Sequence, residues 1–298
     1  MRIRRSIIWG KALNFEETQR LCEGAGDAIC LDLEDGVAKG RKQEARVNAV
    51  KILRECNFHG KEKIVRVNDV HSPEFIADMN ITIAEGLPDA IRIPKCEYVE
   101  DMLAVDGILS AIEAKAGIPE NSIEVIAMIE SPIGLRSAYD IAKSCERVTA
   151  LNLGMEDLTR ELGVLRRYRD DELDLIYARQ KFVLDAMAAH VQAIDAVLLQ
   201  MDGGDEATRT ASIRSRQDGF TGRSCNNNVQ AEEANRIYGP DPAYLEWSRR
   251  AKQAYEENAS ADLDMPTVDG KRICYAAYEK ACDVVAYAGL IAEKEGKA

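Results

Sequence analysis

Histidine is nearly missing from this chain: His59, His71 and His190 are the three among 298 residues. None stands at a metal-ligand spacing, and none forms a recognisable set with serine or cysteine, so serine and thiol hydrolase chemistry is set aside. His59 and His71 fall near predicted loops and His190 on a predicted helix, and all three read as structural. The eight cysteines contain no Cys-x-x-Cys pair, and several lie inside apolar runs, where a thiol behaves as a small buried hydrophobe. Aromatic residues are only 6% of the chain. Positive charge is also short: 39 basic residues face 51 acids, a formal net charge of −12. That balance argues against nucleic-acid and anionic-membrane partners, which need clustered positive charge, but leaves room for a local basic pocket. No apolar run approaches the roughly 18 residues that span a bilayer. Ile7-Ile8-Trp9, after a basic start, is too short for a secretory core, so a cytoplasmic protein is expected. Glycine-rich phosphate loops are missing after every strand pattern, which removes support for a dinucleotide fold or a P-loop.

What the chain does have is rhythm. Short β-rich runs alternate with longer helical patterns from residue 5 to about 225. Strands are predicted at Ser6–Trp9, Ala28–Asp32, Lys63–Val67, Ala90–Ile93, Glu124–Ile129, Val148–Leu153 and Ala193–Leu199, with a weak one near Phe220–Ser224. Apolar spacing predicts helices at Asn14–Glu23, Lys42–Arg54 and Asp171–Ala189. Repeated strand–helix alternation is the pattern of an α/β (β/α)8 TIM barrel, with a doubly wound open sheet as runner-up. After residue 225 the rhythm breaks into helices at Ala243–Asn258 and from about Tyr275 to Glu295, joined through an Asp269-Gly270 tight turn. We therefore expect a barrel domain over 1–228 and a C-terminal helical extension over 229–298 that caps the barrel mouth of its own or a neighbouring subunit.

The strand ends carry the chemistry. Asp32-Leu33-Glu34-Asp35, Arg66, Glu130 and Gly154-Met155-Glu156-Asp157 each close an apolar run. In a parallel barrel such ends surround one pocket. Mg²⁺ is usually held by one or two carboxylates, waters and substrate oxygens, and Glu130 with Asp157 supplies that number. Gly154 should let the chain turn closely, so that N–H groups of Gly154, Met155 and Glu156 meet a substrate carboxylate. Arg66, between Val65 and Val67, needs a bidentate partner, either substrate or the Asp32/Glu34/Asp35 cluster. Glu34 and Asp35 are expected to accept hydrogen bonds from metal-bound water or from Arg66. Lys95, a fifth charged strand end, is read as a rim or salt-bridge residue rather than a Schiff-base amine.

Taken in order, Asp32-Leu33-Glu34-Asp35-Gly36-Val37, Lys42 with Ala45-Arg46, Val65-Arg66-Val67-Asn68, Pro94-Lys95, Ile129-Glu130-Ser131-Pro132 and Gly154-Met155-Glu156-Asp157-Leu158 resemble the citrate lyase beta-subunit-like branch of the HpcH/HpaI aldolase superfamily. The resemblance implies a Mg²⁺-dependent barrel, trimeric or hexameric, that cleaves or forms malyl-, citramalyl- or citryl-type thioesters. It makes Glu130 and Asp157 metal ligands and gives Arg66 the 2-oxo acid fragment. Three regions depart from that pattern, the first being the opening strand, where Ile7-Ile8-Trp9-Gly10 replaces the usual run. Arg223-Ser224-Cys225-Asn226-Asn227-Asn228 replaces the usual stretch, and Cys274 stands where the branch has an acid. The expected activity is carbon–carbon cleavage of a 3-hydroxyacyl-CoA to a 2-oxo acid. The alternatives are a CoA-independent hydroxy-acid aldolase and a non-catalytic ligand-binding subunit.

Overall fold

Eight parallel strands close into a ring. In this computed structural model residues 2–166, 173–198, 204–261 and 265–296 are described, with backbone only at 173, 204–205 and 260–261. Two compact units are present, Met1–Asn235 and Arg236–Ala298.

In the first unit the strands are β1 (Ser6–Gly10), β2 (Ala28–Asp32), β3 (Glu62–Arg66), β4 (Ala90–Ile93), β5 (Glu124–Ile129), β6 (Val148–Leu153), β7 (Gln192–Asp195) and β8 (Gly222–Cys225). Each pairs in parallel with its successor, and β8 closes back onto β1. The strands are buried on both faces, which explains their nearly unbroken apolar sequences. Inward positions alternate, and Ile7, Ala28, Cys30, Ile64, Ala90, Ile126, Ala150 and Ile194 fill the interior. Below them a polar plug closes the N-terminal end: the buried Arg4 guanidinium donates to Glu62 at 2.6 and 2.8 Å, to Thr149 at 2.8 Å and to Gln192 at 3.2 Å, and also meets Glu124.

Four strands differ from the expected bounds: β1 runs one residue longer, to Gly10, β3 is shifted back by one residue, and β7 and β8 differ more. β7 stops at Asp195 because the Asp195 carboxylate caps the next N–H, that of Ala196, at 2.8 Å and binds Arg179 at 3.0 and 3.1 Å. Ala196 and Leu198 are buried all the same, but as loop; Leu199 lies outside the described residues. β8 begins after Phe220, whose ring stacks on Phe182 at 5.6 Å instead of entering the ladder. The predicted helix at Asp171–Ala189 appears as Ile176–Ala188 after a short 3-10 turn; Asp171 lies outside the described residues. His190 sits past the end of that helix with φ 61°, not on it.

The second unit holds helices at Pro242–Ala261 and Tyr275–Lys294 and a two-stranded hairpin, β9 (Thr267–Val268) with β10 (Lys271–Arg272). Asp269 and Gly270 turn that hairpin with φ of 49° and 75°, the left-handed pair that a tight hairpin turn demands. Its small core is Ala251, Val268, Ile273 and Ala281, covered by Trp247, Tyr255 and Tyr278. Among the described residues no helix is long and apolar enough to cross a membrane.

Candidate active site

The strand register sets one row of charges at the barrel mouth: Asp32 lies opposite Arg66, and Arg66 opposite Arg92. Asp32 takes the Arg66 fork through two bonds of 2.7 Å, while Arg66 Nη1 lies 3.0 Å from Glu34. Burial alone would lower the Arg66 pKa, but the hydrogen bonds and charge of Asp32 outweigh it and keep the guanidinium protonated. Burial would likewise raise Asp32, yet its bonds to Arg66 and to the Glu34 and Gly36 N–H groups hold it below the usual range. Arg66 also lies over the Trp9 ring, 4.5 Å from its centroid. Part of its five-donor fork remains for a ligand.

Glu34 shares its carboxylate between Arg66 and Lys95, whose Nζ donates at 2.6 Å. Behind it, Lys42 Nζ donates to the carbonyls of Leu33 and Glu34 and to Asn68 Oδ1 at 2.6, 2.7 and 2.8 Å, fixing the β2 exit loop. Asp35 does not bond to Arg66, one of the two partners expected for it. The turn leaves it exposed, on the wall of the cavity.

Glu130 is 5% exposed at the end of β5. Its Oε1 accepts the Lys95 backbone N–H at 2.8 Å, a contact made possible by a left-handed Lys95 backbone at φ 53°. Burial, and then the negative charges of Asp157 and Glu34, push Glu130 up to about 7, against the lowering effect of that N–H. A Cβ on Gly154 would lie 2.4 Å from Glu130 Oε2. Glycine is therefore required here for side-chain clearance, because its φ of −103° suits any residue. The Gly154 N–H, expected to face substrate, instead donates to Ile129 O at 2.9 Å in the strand ladder. Met155 and Asp157 open the helix Met155–Leu162, where first-turn N–H groups have no intrahelical acceptor. Asp157 is 27% exposed and lies 3.0 Å from Arg160, while the Glu156 side chain turns to Arg166.

Glu130, Asp157, Asp32, Arg66, Gly154 and Asp35 all line one cavity of about 660 Å³. Among the described residues no three acidic, histidine or cysteine side chains converge into a metal cage. Two carboxylates, one of them buried and short of positive charge, suit Mg²⁺, which keeps waters and takes ligand oxygens. Sequence reasoning passed over Arg92, although Ile91-Arg92-Ile93 repeats the pattern that singles out Arg66. It also gave Lys42 no role, because its acceptors are loop carbonyls that no motif displays.

The sequence profile of the HpcH/HpaI aldolase/citrate lyase family matches residues 5–228. The chain is 31% identical over 297 residues to the citrate lyase subunit beta of Escherichia coli (strain K12), covering 99% of this chain and 96% of that one. It is 32% identical over 270 residues to a (3S)-malyl-CoA thioesterase of Cereibacter sphaeroides (strain ATCC 17029), covering 90% and 88%. Among solved structures, CitE from Mycobacterium tuberculosis in complex with magnesium, acetoacetate and coenzyme A shares the fold, with a TM-score of 0.73 and 24% identity over 95% of this chain and 97% of that one.

Proposed function

This chain is a carbon–carbon lyase that belongs to the HpcH/HpaI aldolase/citrate lyase family, and on that premise we propose that it is Mg²⁺-dependent and cleaves a 3-hydroxyacyl-CoA to a 2-oxo acid and an acyl-CoA. One observation carries the reading: Glu130 is a buried carboxylate raised to about 7, set beside Asp157 in a cavity large enough for a small acid. A divalent cation would supply the missing charge. Glu130 and Asp157 would hold it, and the solved CitE complex contains magnesium. When bound, the metal supplies Lewis-acid stabilisation of the oxyanion at the 2-oxo carbon.

The chain's own groups do the rest. Arg66, fixed by Asp32, orients the oxo-acid carboxylate with its remaining N–H groups. Glu34 holds Arg66 and Lys95 in one frame, so Lys95 can keep its N–H on Glu130. The first-turn N–H groups after Gly154 offer further donors to an anionic oxygen. Asp35, exposed on the cavity wall, would accept a proton from bound water. Lys11 also lines the cavity and supplies a cation for a phosphate-bearing carrier. All eight cysteines are free thiols, which suits the cytoplasmic setting proposed here. A trimer or hexamer is part of the same proposal, and light scattering tests it.

The exposed Cys274, in place of an acid, favours one competing reading, a CoA-independent hydroxy-acid aldolase. The test is to incubate the protein and Glu130→Ala with Mg²⁺ and malyl-CoA, citramalyl-CoA, citryl-CoA or free hydroxy acids, and follow 2-oxo acid release. Glu130-dependent product from a thioester supports the proposal. Product from free acids alone replaces it with the aldolase, and no product with metal binding intact replaces it with a ligand-binding subunit.

A further inference from the structure

Arg92 is 0% exposed at the centre of the barrel, on β4. Its Nη1 donates to Ser224 Oγ at 3.2 Å, while Nε and Nη2 have no hydrogen-bond partner among the described residues. A fully buried guanidinium with orphan donors and no carboxylate in reach is strongly unfavourable unless an anion shares the site. Nothing in the fold demands a cation at this position. The layer beneath it is small or aliphatic, its register partner Arg66 is itself a cation, and the plug below is already supplied by Arg4.

The groups around Arg92 open upward. Trp9, 4.7 Å from the Arg92 guanidinium, and Ser224 both line the cavity that holds Glu130 and Asp157. Arg66, the register partner of Arg92 on β3, shares the Trp9 ring, but Asp32 and Glu34 already neutralise it. Arg92 therefore leaves an uncompensated positive charge under the floor. Ser224 Oγ accepts from Arg92 and has no acceptor of its own among the described residues, so its O–H is free to donate into the cavity. A hydroxyl donor backed by a buried cation is an anion subsite separate from the Glu130/Asp157 pair.

We propose that Ser224, backed by Arg92, binds a second carboxylate of the 2-oxo acid, so that the chain selects a dicarboxylic over a monocarboxylic oxo-acid fragment. The inference rests on the function proposed above, in which the first carboxylate and the oxo group face the Glu130/Asp157 side. Specificity then follows from a charge left unpaired when the second carboxylate is absent, a form of discrimination stronger than shape alone gives.

Calorimetric binding of pyruvate and oxaloacetate, with Mg²⁺ present, to the full chain, to Arg92→Met and to Ser224→Ala tests it. The expected result is that the unmodified protein binds oxaloacetate at least tenfold more tightly than pyruvate. Arg92→Met should bring that ratio near one by weakening oxaloacetate alone, and Ser224→Ala should lower it severalfold. Pyruvate affinity within twofold of the unmodified protein shows that the metal side and the fold are intact. The melting temperature of ligand-free Arg92→Met should rise, because an unpaired buried charge is gone. An oxaloacetate-to-pyruvate ratio of one in the unmodified protein, or an unchanged ratio in both variants, overturns the subsite while leaving the metal site standing. Failure of either acid to bind the unmodified protein overturns the proposed function and the subsite with it.

Discussion

Glu130 and Gly154 are built around each other: a Cβ on Gly154 would lie 2.4 Å from Oε2 and 2.5 Å from Cβ of Glu130. The carboxylate passes through space that only a missing side chain leaves open. Gly154→Ala must push Glu130 aside, since the Gly154 backbone is itself held by its bond to Ile129 O. Overpacking of this kind costs about 1–3 kcal/mol of stability. The larger expected effect is functional, with Mg²⁺ affinity at least tenfold weaker in a direct titration. Unchanged affinity would mean that Glu130 is not held in the orientation a metal uses.

The pH dependence of the metal-free protein follows from Glu130. Its folded value of about 7 lies above the ordinary 4.5, so between these the folded state binds more protons than the unfolded state. Its contribution to stability is therefore full below about 4.5 and falls as pH rises through about 7. The span corresponds to about 3 kcal/mol. Glu130→Gln should remove this decline, making the ligand-free variant more stable than the parent at pH 8 in urea unfolding. A variant less stable at pH 8 would contradict the burial argument.

The Arg66–Asp32 pair separates structural from functional roles. Arg66→Met strands a buried Asp32, at a cost of about 3–5 kcal/mol. Adding Asp32→Asn should recover much of that loss, because the stranded charge is gone. Activity should stay low in both, since neither offers a fork to the substrate carboxylate. Recovery of activity along with stability in the double variant would show that Arg66 serves the fold alone.

Lys42 supports the same loop from behind. Lys42→Met leaves Leu33 O, Glu34 O and Asn68 Oδ1 short of a shared charged donor, although Asn68 Nδ2 still reaches Leu33 O at 3.0 Å. Destabilisation of about 2 kcal/mol is expected. The measurement that exposes positioning is a rise in KM greater than the fall in kcat, as Glu34 loses its hold on Arg66. Parent-like KM would assign Lys42 to the fold only.

The barrel was legible because its strands are short, apolar and bounded by charge. β2, β4, β5 and β6 begin and end where the pattern places them. The β7 exit was not, since Ala196 and Leu198 are as buried in a loop as they would be in a strand, and apolar character alone cannot tell the two apart. Glu130, Asp157, Arg66 and Glu34 were singled out by their strand-end positions; the structure brings the first three to one cavity and sets Glu34 behind it, against Arg66 and Lys95. The reason for Gly154 was hidden, because it depends on a side chain from another strand. Arg92 was visible as a lone charge between Ile91 and Ile93, but its missing partners appear only once the barrel is closed.

In the proposed metal site Glu130, with Asp157, receives a divalent cation as a carboxylate. Mg²⁺ binding measured calorimetrically in buffers of different ionisation enthalpy tests it directly, because proton release is counted with affinity. With Glu130 near 7, close to one proton per Mg²⁺ should be released at pH 6, about half at pH 7 and almost none at pH 8.5, with affinity rising across that range. Glu130→Gln should abolish both binding and release. Tight binding without proton release at pH 6, or equal binding by Glu130→Gln, would contradict the assignment.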